Sequence, residues 1–520
     1  KEKDVVLLNA YPGFGKSRIA VAIARRWVND GGQVLIITRS RAEALQLCEF
    51  ARQVGIRDRA SLFLGRELMC PFNARNSKQC LIYRLSGKCR VGKTEASLPI
   101  MTCNPLDLFN DGLCPYEVNE AFAHQLPIVI STHAYLSSPE LYGKIMDIVN
   151  SWSKPLVIID EFHGVAVGLE ESVSISIDEL RRWASHGNDL AAKILSSISD
   201  YIPQREVVVL RRFDIDDLLR GSEQISDRVL ELLMHFGNDL CVFTYDGKLV
   251  RLRCLSFRPI HDLIMKSQKA LLLTASISKR FSYIMSIYAK PSYYMAVDSL
   301  PREYQENLII YSVTDVELTH RNRLLREYLD IVNRGIRVFI ESSPPIGGLA
   351  IFFPSIDYLN SYVNQYAPPA WGVPTFILRD SSEAVNAIEA FKESARVTKS
   401  LIITYAQNPI GEGVNFLEQE LVGVMIIGFP LPQYSQWSFL KSRYYGRLGI
   451  NGFTTTYLFP AISTTTQIVG RLLRDLDRHR KVAVLLDGRF YRYRRYMPKW
   501  LVSRMRPIRL VQLLNASLWR

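Results

Sequence analysis

Three short groups of residues, far apart in the chain, have the types and spacing to act on one triphosphate. In Ala10-Tyr11-Pro12-Gly13-Phe14-Gly15-Lys16-Ser17 the glycines let successive amides curl around phosphate oxygens, Lys16 neutralises them, and the Ser17 hydroxyl suits Mg2+. Asp160-Glu161-Phe162-His163 closes an apolar stretch with adjacent carboxylates. Asp160 can hold magnesium, usually through water, while Glu161 orients or deprotonates an attacking water. An Asp-Glu pair alone is commonly a solvated turn, and the phosphate loop upstream is what gives this pair a task. His163 either couples such a site to motion or caps a helix. Gln467, Arg471 and Arg474 are spaced to share one helix face, so both arginines can reach a γ-phosphate as its charge develops. A basic surface helix is the plainer alternative. Arginines drawn from so distant a part of the chain imply two lobes gripping one nucleotide from opposite sides.

The elements that must position these groups are legible in the hydrophobic pattern. Val5 to Asn9 is an apolar run that stops at Pro12 and Gly13, and Ser17 to Val28 then has helical periodicity, which makes strand, glycine loop, helix. Val34-Leu35-Ile36-Ile37, Ile128-Val129-Ile130 and Leu156-Val157-Ile158-Ile159 are further buried strands, the last delivering Asp160 at its carboxyl end. Ala270-Leu271-Leu272-Leu273 ends in Thr274-Ala275-Ser276, a small polar triplet suited to link the site to the other lobe. A second α/β unit begins near residue 303, with strands at 349–353, 400–404, 423–427 and 482–486. Uninterrupted apolar strands alternating with helices predict parallel sheets covered on both faces, with ligands at the carboxyl edges. Between Cys70 and Cys114 the pattern gives way to short polar pieces, read as an insertion organised by metal, and 164–265 reads as a mostly helical second insertion.

The chain has 520 residues, more than one core accommodates, and its 48% hydrophobic and 22% charged residues are ordinary for a globular protein. No run of eighteen apolar residues occurs and no secretory signal is visible, so a soluble protein with no membrane partner is expected. The net charge is +13, and residues 471–520 hold fourteen Lys or Arg against three Asp, a net of +11. Interleaved with Tyr491, Tyr493, Tyr496 and Trp500, that block suits a phosphate backbone with bases to stack on, the alternative being a solvated helix face. Five of the eight cysteines, Cys70, Cys80, Cys89, Cys103 and Cys114, fall within 45 residues. Without a secretory signal, such clustering points to metal more than to disulfides. No Cys-x2-Cys pair occurs, and intervals of 9, 8, 13 and 10 residues argue mildly for an iron–sulfur cluster over zinc, with one thiol surplus.

With the motifs in this order the chain resembles the XPD-like helicases of superfamily 2, which include DinG and the FANCJ-type repair helicases. The resemblance extends through Thr38-Arg39-Ser40, Cys114-Pro115-Tyr116, Thr132-His133-Ala134-Tyr135-Leu136, Phe352-Phe353-Pro354-Ser355, Gly411-Glu412-Gly413-Val414-Asn415-Phe416, Gly428-Phe429-Pro430-Leu431-Pro432 and Asp487-Gly488-Arg489-Phe490. It implies two RecA-like parallel-sheet motor domains with an iron–sulfur insertion and a helical arch in the first. The expected boundaries are 1–66, 118–163 and 266–302 for motor domain 1, 67–117 for the iron–sulfur domain, 164–265 for the arch and 303–520 for motor domain 2. It also implies ATP, Mg2+ and a [4Fe–4S] cluster on Cys70, Cys89, Cys103 and Cys114, with Cys80 as the substitute. Glu412 would contact nucleotide, Arg39 and Tyr135 would lie near DNA, and Arg75, Lys88 and Arg90, with Lys78 and Arg84, would form a basic surface on the metal domain. The chain departs from the family at Phe162, where Ala is usual, at Gly411, and in the absence of the glutamine that reads adenine ahead of Ala10.

The expected activity is ATP-driven 5′→3′ movement of a monomer on single-stranded and forked DNA, in DNA repair, with repair or transcription-complex proteins as partners. Localisation would be cytoplasmic or nucleoid in a prokaryote and nuclear in a eukaryote. Two alternatives are an RNA-directed or non-unwinding ATPase and an ATP-switched scaffold within a repair complex.

Overall fold

The structure is a computed structural model that describes residues 4–56, 59–74, 77–91, 103, 105–199, 207–209, 225–236, 239–245, 249–289, 292–366, 371–379, 384–406, 416–473 and 479–519. Arg75, Glu412 and Arg474 lie outside the described residues.

The first sheet has seven strands in the order Ser292–Val297, Asp4–Ala10, Lys269–Thr274, Pro155–Ile159, Gln33–Thr38, Ile128–Thr132, Ala60–Leu62. Every pairing is parallel, with Leu7 opposite Leu272, Leu271 opposite Ile158 and Ile36 opposite Ile130. A parallel sheet is buried on both faces, and its inner strands are accordingly continuous apolar runs, whereas the edge strand Ser292–Val297 alternates, with Tyr293 and Met295 exposed. Because all strands run one way, Ala10, Thr38, Thr132, Ile159 and Thr274 end at one edge. The chemistry-bearing loops are therefore neighbours in space although scattered in sequence.

A second parallel sheet follows, in the order Thr375–Ile377, Lys399–Tyr405, Gly347–Phe353, Gly423–Ile427, Lys481–Leu486, Leu308–Val313, Met505–Ile508. Gly348 allows a tight corner: a Cβ there would stand 2.0 Å from the Glu420 carbonyl oxygen. One hydrophobic core fills the helical face of Lys16–Asn29 and Arg41–Gln53. A second continues from the other face of the first sheet through the 164–265 insertion into the second lobe, so the two α/β units share apolar surface.

Among its described residues the 164–265 insertion has the helices the periodicity predicts, Ile177–Ser185, Asp189–Ser199, Asp227–Phe236 and Arg258–Lys266, and also a sheet that it does not predict. Its strands Leu169–Ile175, Val250–Ser256, Leu240–Tyr245 and Val207–Val209 form an antiparallel sheet in that order. The period-2 alternation that identifies such strands is present in Val250-Arg251-Leu252-Arg253, where Val250 and Leu252 are buried and the arginines half-exposed.

Candidate active site

Strand Asp4–Ala10 hands the chain to a loop in which Gly13 and Gly15 have φ of 85° and 89°, a region where only glycine sits without strain. Helix Lys16–Asn29 starts at Gly15 with no side-chain cap, so its first-turn amides have no such partner and open towards a cleft of about 570 Å3. Phe14 braces the loop edge-on against Tyr11, their ring centroids 5.3 Å apart. Lys16 is buried and folds back, its Nζ donating to the carbonyls of Ala10 at 3.3 Å and Tyr11 at 3.5 Å.

Asp160 reaches the same place from the neighbouring strand. Ser17 Oγ donates to its Oδ2 at 2.8 Å, and the Glu161 amide donates to Oδ1 at 2.9 Å. Burial and the adjacent Glu161 charge push the Asp160 carboxyl above its ordinary range, against the pull of Lys16 and Ser17. A dehydrated carboxylate beside a hydroxyl is a donor set that fits Mg2+ held jointly with phosphate. Glu161 turns out of the strand with φ 48°, and its Oε2 lies 3.1 Å from His163 Nδ1, though not aligned as a hydrogen bond.

The opposite wall comes from the second lobe. Gln467 Nε2 meets His163 Nε2 at hydrogen-bond distance across 304 residues of sequence. One turn further along helix Phe459–Gly470, Gly470 lies so close to the phosphate loop that a Cβ would stand 2.3 Å from Pro12 Cγ. Arg471 follows directly and is buried at 4% exposure. Ser276, from the predicted linking triplet, shares a hydrogen bond of 3.0 Å with Ser463 on that helix, and Tyr283 OH pairs with Thr455 at 3.0 Å. The helix is preceded by a π turn over Thr454–Leu458, where Pro460 has no N–H to return to Thr456. Gly13, Phe14, Gly15, Lys16, Ser17, Asp160 and Glu161 line the cleft together, and His163 and Gln467 join them across the seam.

Two residues escaped the sequence reading. Glu43 lines the same cleft and closes a capping box with Ser40, a signal legible as Ser-x-x-Glu; burial, then the Glu161 and Asp160 charges, raise its pKa. His133 is half-buried and places Nε2 3.0 Å from the Asp160 carbonyl oxygen; desolvation, with the Arg39 and His163 charges nearby, lowers its pKa to about 3. As a neutral ring it can donate there and fix the backbone that carries Asp160.

Elsewhere the expected residues separate. Arg39 lines a groove of about 440 Å3 with His133 and Glu170. Tyr135, expected near DNA, is 1% exposed with its ring 4.9 Å from that of Phe63, so its bulk serves the core and not a strand. Lys88 and Arg90 are exposed, Lys88 standing 4.3 Å over the Tyr83 ring.

The expected thiolate set is not formed. Cys103 is disulfide-bonded to Cys48, which lies on helix Arg41–Gln53, and Cys241 is bonded to Cys254 directly opposite it in the antiparallel sheet. Substituting Cys80 for Cys103 leaves Cys70, Cys80, Cys89 and Cys114 as free thiols. Among the described residues, however, no three His, Cys, Asp or Glu converge as a metal site. Instead Arg66 Nη1 donates to Cys80 Sγ at 3.6 Å. These residues as placed do not fit a [4Fe–4S] cluster. No helix among the described residues is long and apolar enough to cross a membrane.

A solved XPD helicase superposes over 97% of this chain and 96% of its own, with a TM-score of 0.65 at 15% identity. The structure titled S. tokodaii Xpd4 does so over 97% and 96%, with a TM-score of 0.58 at 15% identity. The fold is XPD-like. In sequence, the helicase C-terminal domain family matches residues 336–504. The XPD/RAD3 helicase subunit of general transcription and DNA repair factor IIH from Saccharomyces cerevisiae is 29% identical over 169 residues, 30% of this chain and 21% of the relative. The ATP-dependent DNA helicase chl1 of Schizosaccharomyces pombe is 26% identical over 210 residues, 36% of this chain and 24% of the relative. The matched stretches thus span about a quarter or less of each curated relative.

Proposed function

We propose that this chain is an ATP-dependent DNA helicase of the repair type that moves 5′→3′ along single-stranded DNA. The observation that carries the reading is the seam itself: Gln467 against His163 and Gly470 against Pro12 set the Arg471 segment on the phosphate loop. The names of the two curated relatives support DNA as the polymer.

In this reading the glycine-loop amides and Lys16 bind the β- and γ-phosphates. Ser17 and Asp160 would hold Mg2+, which supplies charge neutralisation on the phosphate oxygens when bound. Glu161 takes the attacking water's proton, and His163 and Gln467 report the state of that carboxylate to the second lobe. Arg471, with Arg474 beyond the described residues, offsets charge on the γ-phosphoryl group. Nucleotide gripped at this seam favours the closed arrangement, so binding and release bias one lobe against the other. The domain boundaries given above are part of this proposal, as are Glu412 at the nucleotide and Arg39, Arg75, Lys88 and Arg90 along the nucleic acid. The chain would work as a monomer, with repair or transcription-complex proteins as partners. No step is routed through a cluster.

Lys16→Ala tests the site: DNA-stimulated hydrolysis should be lost while single-stranded DNA still binds, and hydrolysis at the wild-type rate refutes the assignment. Displacement of a strand from a 5′-tailed but not a 3′-tailed duplex tests polarity. Stimulation by RNA in place of DNA would favour the RNA-directed alternative.

A further inference from the structure

The arginine-rich block at the end of the chain is not one patch. Arg471 is buried at the seam. Arg489 is held by Asp487, Arg492 by Glu317, and Arg504 donates to the Leu308 carbonyl. These arginines serve the fold. Arg495 and Lys499 of the same block are carried by the structure to the other lobe.

There they close a cleft of about 770 Å3 whose opposite wall is Ser278, Lys279, Arg280 and Tyr294. The cleft is strongly cationic: its acidic lining residue, Asp298, is paired with Lys499 at 3.2 Å. Lys279, Arg280 and Arg495 are exposed, and among the described residues none of the three has an ion-pair partner. The walls are fixed, since Ser278 Oγ donates to the Tyr496 carbonyl at 2.7 Å across the seam and Tyr294 OH donates to the Ile277 carbonyl at 3.2 Å. The Tyr294 ring thereby offers a fixed aromatic wall beside the cations, the pairing that suits bases attached to a phosphate backbone.

We infer that this cleft, formed by Lys279 and Arg280 of the first lobe and Arg495 of the second, binds the phosphodiester backbone of a single-stranded polynucleotide. The inference rests on the nucleic-acid part of the proposed function and adds its location and consequence. The cleft is separate from the glycine-loop cleft, with which it shares no lining residue. It begins two residues beyond Ser276, whose hydroxyl bonds Ser463 on the helix that carries Gln467. A strand lying here touches both lobes and favours their closed arrangement, which is how a polymer without a place at the phosphates can stimulate hydrolysis.

The test uses the full chain and fluorescent oligo-dT and oligo-rU strands, followed by anisotropy from low to moderate salt without nucleotide. Neutralising all three cations (Lys279→Ala, Arg280→Ala, Arg495→Ala) should weaken strand binding roughly tenfold or more and lower the salt slope by about 2. Exchanging them for the other cation (Lys279→Arg, Arg280→Lys, Arg495→Lys) should keep most of the affinity. Loss with dT alone or with both strands supports the cleft and tells which polymer it takes. Equal binding by wild type and the triple alanine variant overturns the assignment while leaving the nucleic-acid reading intact. Binding of neither strand by wild type overturns both. Loss of affinity for a fluorescent ATP analogue, with strand binding unchanged, would overturn it by making the cleft part of the nucleotide site.

Discussion

Gly470→Ala asks whether the two lobes must meet as closely as they do. The added Cβ would stand 2.3 Å from Pro12 Cγ and 2.9 Å from Pro12 Cβ, where carbon atoms settle at about 3.5–4.0 Å. The proline ring is rigid and lies in the phosphate loop, so the seam must open by roughly 1 Å. Arg471 moves with Gly470, and a misplacement of about 1 Å at a reacting centre costs on the order of a hundredfold in rate, or about 2.7 kcal/mol on the barrier. Within the helix the change is favourable or neutral, because alanine is the better helix former by up to about 1 kcal/mol. The variant should therefore show a kcat for ATP hydrolysis near one hundredth of wild type, with nucleotide affinity and unfolding midpoint little changed. Adding Pro12→Ala, which trims the ring facing the new methyl, should recover part of the loss. An unaltered kcat in Gly470→Ala would refute the claim that this contact sets the arginine on the phosphates.

Three other outcomes are expected. His133 has a folded pKa of about 3 against an ordinary 6.5, so below pH 6.5 the unfolded chain binds a proton that the fold does not. Stability present above pH 6.5 is lost at up to about 1.4 kcal/mol per pH unit as pH falls towards 3. His133→Gln should flatten the urea midpoint against pH between 6.5 and 4, and parallel curves for the two proteins would contradict the burial argument. Asp160→Asn should abolish hydrolysis yet leave the nucleotide-free protein melting no lower than wild type, since the carboxylate is disfavoured by burial and by Glu161; a marked drop in the midpoint counts against this. The Cys48–Cys103 bond spans 55 residues, worth up to about 4 kcal/mol in the chain-entropy view. Cys48→Ser should lower stability, reduction of the wild type, which also opens Cys241–Cys254, should lower it further, and an unchanged unfolding midpoint in Cys48→Ser would refute the pairing.

Much of the site was legible because its signals are local. The glycine spacing that forces left-handed backbone at Gly13 and Gly15, the apolar run that ends at Asp160 and the Gln-x3-Arg spacing each lie within a few residues, and one helix turn or strand end suffices to express them. The same holds for the parallel sheets, since continuous Val, Ile and Leu runs have no exposed face to offer. In the 164–265 insertion the helices were legible and the strands were not: charged residues such as Arg251 and Arg253 alternate with buried ones, a strand signal overshadowed by amphipathic helices on either side. The bonding of Cys103 was not legible for another reason: Cys48 lies outside the dense cluster, and spacing cannot say which sulfur meets which.

The amino-acid order alone thus determined the phosphate loop, the carboxylate pair and the strands that carry them, because backbone conformation and burial period are written residue by residue. Only the tertiary structure decided what faces the site. The Gln467–His163 contact, the absence of a side chain at Gly470 beside Pro12, the burial of Tyr135 and the division of the terminal arginines between fold and cleft depend on surfaces from distant segments meeting. Such meetings follow from how two lobes pack over a shared core, and no short-range pattern encodes them.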